Sequence, residues 1–236
     1  MKKLILGATG SIGSSLAKKI VDDGGEVHLV GRDQNSLSAL AGELNSTFTN
    51  CDVLEENFSE KILKDLGDTP INGLAYCVGS IDLKPIKLTK KSDFMQSFSL
   101  NLISATEIIK NTAENLKKNK GSIVLFSTVA VRRGFTNHSI IASAKGAVEA
   151  LTVSLAAEFA PNIRVNCIAP SLTKSKISNF LLKNEKIIEG IAKMHPLKRI
   201  GEGNDSSSVA NFLLSENSSW ITGQIFGVDG GRSSLT

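Results

Sequence analysis

Short apolar runs alternate with longer stretches of helical periodicity along the whole chain, and no other feature restricts its folding as much. The strand-like runs are residues 3–6, 26–30, 47–52, 73–78, 122–126, 163–168 and 224–228. Between them, residues 12–20, 34–44, 55–66, 91–118, 139–159 and 205–215 repeat apolar side chains at the spacing of one helix face. Strand, helix and strand in succession close most readily as a parallel pair with the helix crossing over it. Repeated along the chain, that unit predicts an α/β fold of about seven parallel strands with helices on both faces. The 236 residues form one domain, 1–236, with no internal repeat or low-complexity segment.

The first strand breaks off at Gly7-Ala8-Thr9-Gly10-Ser11-Ile12-Gly13, and a helix begins at once with Ile12, Leu16, Ala17 and Ile20. Glycines at such a turn let the backbone bend sharply and come close to a ligand. The helix that follows presents unpaired N–H groups and a positive dipole end, which suits a pyrophosphate. The stretch therefore reads as the dinucleotide site of a Rossmann-like, doubly wound sheet. Its spacing is G-x-x-G-x-x-G rather than G-x-G-x-x-G, and a glycine turn without a ligand is the alternative. The acidic residue expected about 20 positions on, to hold a ribose 2′-hydroxyl, is missing. The second strand ends instead at Gly31-Arg32. A guanidinium there suits a 2′-phosphate through paired, charge-assisted hydrogen bonds, which favours NADP over NAD.

Net charge is +4, from 27 basic and 23 acidic residues, and the basic residues are scattered rather than gathered in a stripe. Nucleic acid is therefore not an expected partner. The run Lys117-Lys118-Asn119-Lys120 falls where a long helix should end, and cations there complement the helix dipole. Cys51, Cys77 and Cys167 are widely spaced, without metal-ligand or disulfide-framework spacing, and read as buried free thiols. MKKLIL runs straight into the first strand with no separate leader, and no unbroken apolar stretch approaches a membrane span. The expectation is a cytoplasmic protein without a membrane or metal site.

Further motifs resemble the short-chain dehydrogenase/reductase family over nearly the whole chain. Gly7, Thr9, Gly10, Ser11, Ile12 and Gly13 match its cofactor turn, with Ser11 for the usual middle glycine. Asp52-Val53 matches the pair that holds adenine, and Gly79 is what remains of the Asn-Asn-Ala-Gly motif in Tyr76-Cys77-Val78-Gly79. Asn101 matches the active-site asparagine, Thr128 the catalytic serine and Lys145 the catalytic lysine, which also binds cofactor. IRVNCIAPSLTKS matches the segment capping the nicotinamide, with Pro170, Thr173 and Ser175 at contact positions and Ser171 for the usual glycine. The resemblance implies NADP as cofactor and a homo-oligomer, tetramer or dimer. It also implies that residues 174–203 form a helical insert covering the substrate.

One departure stands out. The family pattern is Tyr-x-x-x-Lys on one helix, and four residues before Lys145 lies Ile141. The offset from Thr128 reaches the same position. The phenol exchanges a proton with the substrate oxygen, which hydrocarbon cannot do. Thr128, Lys145 through water, and His138 at the start of the helix are the replacements within reach, whereas His195 reads as a loop residue and His28 as an ordinary strand residue. Arg132 and Arg133, just past Thr128, are candidates for a substrate carboxylate or phosphate. Three functions fit: an NADP(H)-dependent oxidoreductase with an altered proton-transfer apparatus, a non-catalytic dinucleotide sensor or partner subunit, and a lyase or epimerase with bound cofactor.

Overall fold

The computed structural model describes residues 1–235. The chain runs β1 (Lys2–Leu6), α1 (Ser11–Asp22), β2 (Glu26–Gly31), α2 (Gln34–Glu43), β3 (Thr47–Asn50), α3 (Phe58–Leu66) and β4 (Ile71–Tyr76). There follow α4 (Lys91–Phe98), a π-helical turn (Ser99–Ile103), α5 (Ser104–Lys118), β5 (Ser122–Phe126) and α6 (Ser139–Phe159). The last elements are β6 (Arg164–Pro170), α7 (Glu185–Lys193), α8 (Gly203–Leu214) and β7 (Ile225–Val228). The seven strands pair in parallel in the order β3-β2-β1-β4-β5-β6-β7, as the alternation predicts.

Both faces of the sheet are buried, which is why its strands read as continuous apolar runs rather than alternating ones. Leu4, Leu6, Leu74, Ile123, Leu125 and Val165 pack towards α3, α5 and α6. Ile5, Val27, Leu29, Ala75, Val124 and Ile168 pack the other way, against α1, α2 and α8. By length and composition alone α6 could cross a bilayer. In this fold its Ile140, Ala144, Val148 and Leu155 are buried and it packs on β6.

Strand order reverses between β1 and β4, the first leading to β2 and the other to β5. Ligands of open α/β sheets bind in the crevice beyond the strand ends at such a point. Gly7 leaves β1 and Gly79 lies just beyond β4, so both glycines stand at its mouth.

One segment differs from the periodicity: the helical stretch 91–118 is interrupted by the π-helical turn at Ser99–Ile103. Within residues 174–203 the chain forms a 3₁₀ turn, Lys176–Ser178, and one helix, α7, which buries no residue.

Candidate active site

The glycine turn is shaped by close approach. Gly7 has φ of +74°, and a Cβ there would meet the Cys77 backbone at 2.9 Å. A Cβ on Gly13 would lie 2.3 Å from the Gly7 oxygen, so α1 starts closer to β1 than any side chain allows. Gly10 caps α1 without a side-chain hydrogen bond, leaving the N–H groups of its first turn directed at the crevice. Beside them Arg32 is 79 % exposed, 3.6 Å from an Asp52 carboxylate oxygen, a solvated and weak pairing. The neighbouring Asp33 caps α2, accepting from Ser36 N at 2.7 Å. The Ser36 hydroxyl and amide hold the Asp33 carboxyl below the usual carboxylate range.

At the other end of the crevice β4, β5, α6 and the π-helical turn converge. Asn101 is 1 % exposed on that turn, and its amide donates to Ser97 O at 2.8 Å. Widening the helix there leaves backbone groups to be satisfied from outside it. The Tyr76 phenol, the only one in the chain, donates to Leu100 O at 2.7 Å, and Ser104 Oγ is shared between Ser99 O and Val53 O. Burial pushes the Tyr76 phenol well above its ordinary range. It is thus spent on holding the turn that presents Asn101.

Lys145 is 6 % exposed on α6. Burial pushes its ammonium down to about 8, opposed by the Cys167 and Cys77 thiols. Ser127 Oγ donates to Glu149 Oε1 at 2.7 Å, tying the end of β5 to α6 one turn beyond Lys145. Ile141, 5 % exposed, lies one turn before Lys145 on the same helix face. A Cβ on Gly79 would stand 3.3 Å from Lys145 Nζ and 3.2 Å from Asn101 Oδ1. Asn101 Oδ1 is buried and has no hydrogen-bond partner among the described residues. Lacking that Cβ, Gly79 leaves room for a ligand atom or a water beside both polar groups.

One cavity of about 730 Å³ spans the whole crevice. It is lined by Gly7, Thr9, Gly10, Ser11, Ile12 and Gly13, by Arg32, Asp52 and Val53, and by Gly79, Thr128, Lys145, Pro170, Thr173 and Ser175. Asn101 is not on its wall; it stands behind Gly79. Residues 174–203 contribute Ile177, Leu181, Ile191 and Met194, an apolar cover over one side.

One expectation needs correcting. Arg132 and Arg133 do not line this cavity: they turn to Ile225 O (3.0 Å) and Arg232 O (2.7 Å), carbonyls on or beyond the edge strand. His195 is a loop residue after α7, as expected, but it is 2 % exposed and part of the cavity wall. His28 is a strand residue of β2, as expected, buried with Thr47 Oγ1 and Thr49 Oγ1 at 2.8 and 2.9 Å. His138 does start α6 as expected, half-buried beside Phe135 and lining the cavity.

A crevice floored by glycines at the switch point of a doubly wound sheet defines a Rossmann-type nucleotide-binding protein. Comparison with known proteins narrows that class. A family model described as enoyl-(acyl carrier protein) reductase matches residues 7–233. A tropinone reductase homolog of Arabidopsis thaliana is 33 % identical over 97 % of this chain and 90 % of its own length. The L-xylulose reductase of Bos taurus is 32 % identical over 98 % of this chain and 95 % of its own. A tyrosine-to-phenylalanine variant of ElxO, solved with NADPH bound, superposes with TM-score 0.89 at 25 % identity, covering 99 % of this chain and 98 % of that one. The chain belongs to the short-chain dehydrogenase/reductase family of oxidoreductases.

Proposed function

We propose that this protein is an NADP(H)-dependent oxidoreductase that reduces a carbonyl or oxidises an alcohol without the family's usual tyrosine. The observation that carries the reading is the single cavity joining the glycine turn and Arg32 to Thr128 and Lys145. Its residues fit a dinucleotide: N–H groups of α1 face phosphates, Arg32 faces a 2′-phosphate, and the space beside Gly79 is flanked by an orphaned carbonyl oxygen and an ammonium. When bound, the reduced nicotinamide supplies a hydride. Asp52 and Val53 border the adenine, Lys145 holds the nicotinamide ribose, and Thr128 donates a hydrogen bond to the substrate oxygen. Ile141 occupies the tyrosine position, so the product oxygen draws its proton from another group. The ElxO variant with a tyrosine-to-phenylalanine change holds NADPH, which supports cofactor binding by a relative with one tyrosine hydroxyl removed.

Apolar side chains exposed on the helices α4 to α6 (Met95, Ile103 and Val153) support the homo-oligomer that the family resemblance implies. Fluorescence titration tests the cofactor assignment. NADPH should bind more tightly than NADH, and Arg32→Ala should weaken NADPH by about tenfold or more while leaving NADH unchanged. Equal affinities in the unaltered protein would refute the role given to Arg32.

A further inference from the structure

Ser171 and His195 come from distant parts of the chain and meet on the wall of the cavity. Ser171 follows β6 directly. Phe126 of β5 is level with Ile168 of β6, and Ser127 N donates to Ile168 O at 2.7 Å. Carrying that register on puts Thr128 beside Pro170, on strands about 4.8 Å apart, with Ser171 one residue further along. His195 follows α7, and its ring is seated against the chain end, where a Cβ on Gly230 would be 3.5 Å from His195 Cβ. His195 Nδ1 is 2.8 Å from Ile191 O, and His195 Nε2 is 2.8 Å from Ser171 Oγ. A carbonyl can only accept, so the ring proton sits on Nδ1 and Nε2 accepts the serine hydroxyl. The result is a half-buried hydroxyl backed by an imidazole whose tautomer is set by a main-chain carbonyl, lining the same cavity as Thr128, Ile141 and Lys145.

We infer that Ser171 and His195 are the proton-transfer couple of this site, Ser171 exchanging the proton with the substrate oxygen and His195 acting through Ser171. The inference rests on the oxidoreductase reading above. In alcohol oxidation the substrate O–H proton passes to Ser171 Oγ while the serine's own proton moves to His195 Nε2. The substrate C–H electron pair would leave as hydride for the oxidised nicotinamide that the cavity would hold, and the C=O bond would form. His195 ends as an imidazolium, still donating from Nδ1 to Ile191 O. Carbonyl reduction is the reverse: the imidazolium returns its proton to Ser171 as Ser171 protonates the alkoxide. The titratable and charged groups around His195 are Lys193 and Lys198 on its own segment, Asp229 and Arg232 on the chain end, and Lys145 and His138 across the cavity.

The test combines spectroscopy with turnover on the full chain. ¹⁵N-histidine NMR of the protein, free and with NADP⁺, should show two Nδ1–H rings, His138 facing Thr136 O at 2.8 Å and His195 facing Ile191 O, of which the second disappears in His195→Gln and changes its Nε2 shift in Ser171→Ala. Tropinone and L-xylulose serve as carbonyl probes, followed by NADPH absorbance. Ser171→Ala and His195→Gln should each lower kcat by about 10²–10⁴-fold with KM and NADPH affinity nearly unchanged, and should change the pH profile. Adding Ile141→Tyr to Ser171→Ala should restore turnover, because a phenol makes the couple dispensable. The couple is overturned, with the oxidoreductase reading intact, by a His195 proton on Nε2 or by wild-type kcat and pH profile in Ser171→Ala. It is equally overturned if only His138→Gln loses turnover, or if the unaltered protein is silent where Ile141→Tyr is active. Failure of both the unaltered protein and Ile141→Tyr to bind NADPH or turn over any probe overturns the oxidoreductase reading itself.

Discussion

Replacing Lys145 by methionine should stabilise the fold while removing the ammonium to which the proposed function assigns the nicotinamide ribose. Burial brings this amine down from 10.5 to about 8, so at neutral pH the folded state carries a charge that it disfavours. A fall of that size corresponds to a cost on the order of 3 kcal/mol. Methionine has a comparable unbranched length and adapts to irregular space, so it should recover most of that cost. The expected gain is about 1–3 kcal/mol at pH 7, or roughly 2–10 °C in Tm for a domain of this size. The sign of the pH dependence follows from proton counting. Between about 8 and 10.5 the unfolded chain keeps the lysine proton and the folded chain has lost it, so stability rises with pH through that window. The cysteines act oppositely: burial raises Cys51 from 9.0 to about 11 and Cys77 and Cys167 to about 12, so their contribution is lost as pH climbs above 9. The informative quantity is therefore the difference between the parent and Lys145→Met, measured by urea unfolding at pH 7, 8, 9 and 10. The variant should lead by most at pH 7, and its lead should shrink from pH 8 upwards. A variant less stable than the parent at pH 7, or a difference independent of pH, would refute the assignment of a costly buried charge.

Three further outcomes are expected. Ile141→Tyr should raise carbonyl reduction by about 10²-fold or more, by placing a general acid one turn from Lys145; no gain with NADPH still bound would show that the cavity does not seat the substrate oxygen there. Tyr76→Phe should cost about 1 kcal/mol in urea unfolding, because the half-buried Leu100 O loses its phenol donor, and should lower turnover through Asn101. An unchanged unfolding midpoint would separate the phenol from the π-helical turn. Burial, reinforced by Lys2, lowers His28 from 6.5 to about 4, so the stability from its neutral ring is present above 6.5 and lost as pH falls towards 4. His28→Gln should flatten that part of the Tm profile, and parallel curves would contradict it.

Much of the molecule follows from local pattern. Strands buried on both faces have to be apolar throughout, so the alternation of Leu4–Leu6, Val27–Val30 and Ile123–Phe126 with amphipathic helices was enough to imply a parallel sheet. The glycine turn was legible because chain geometry at Gly7 and Gly13 leaves no space for a side chain, whatever binds there. The shared face of Ile141 and Lys145 follows from helix period alone. Other features depend on partners far away in the chain. The π-helical turn carrying Asn101 is held by a phenol from β4, which no periodicity within 91–118 encodes. Arg132 and Arg133 looked like substrate ligands until β7 and the chain end supplied carbonyls for them. His195 looked like a loop residue and Ser171 like a replacement for glycine, and only the packing of α7 and the chain end over β6 made them a hydrogen-bonded pair. The sequence alone determined the sheet, the glycine turn and the lysine helix, because those rest on spacing between near neighbours. Which polar groups face one another across the cavity was decided by tertiary structure, because such pairing depends on where distant segments come to rest.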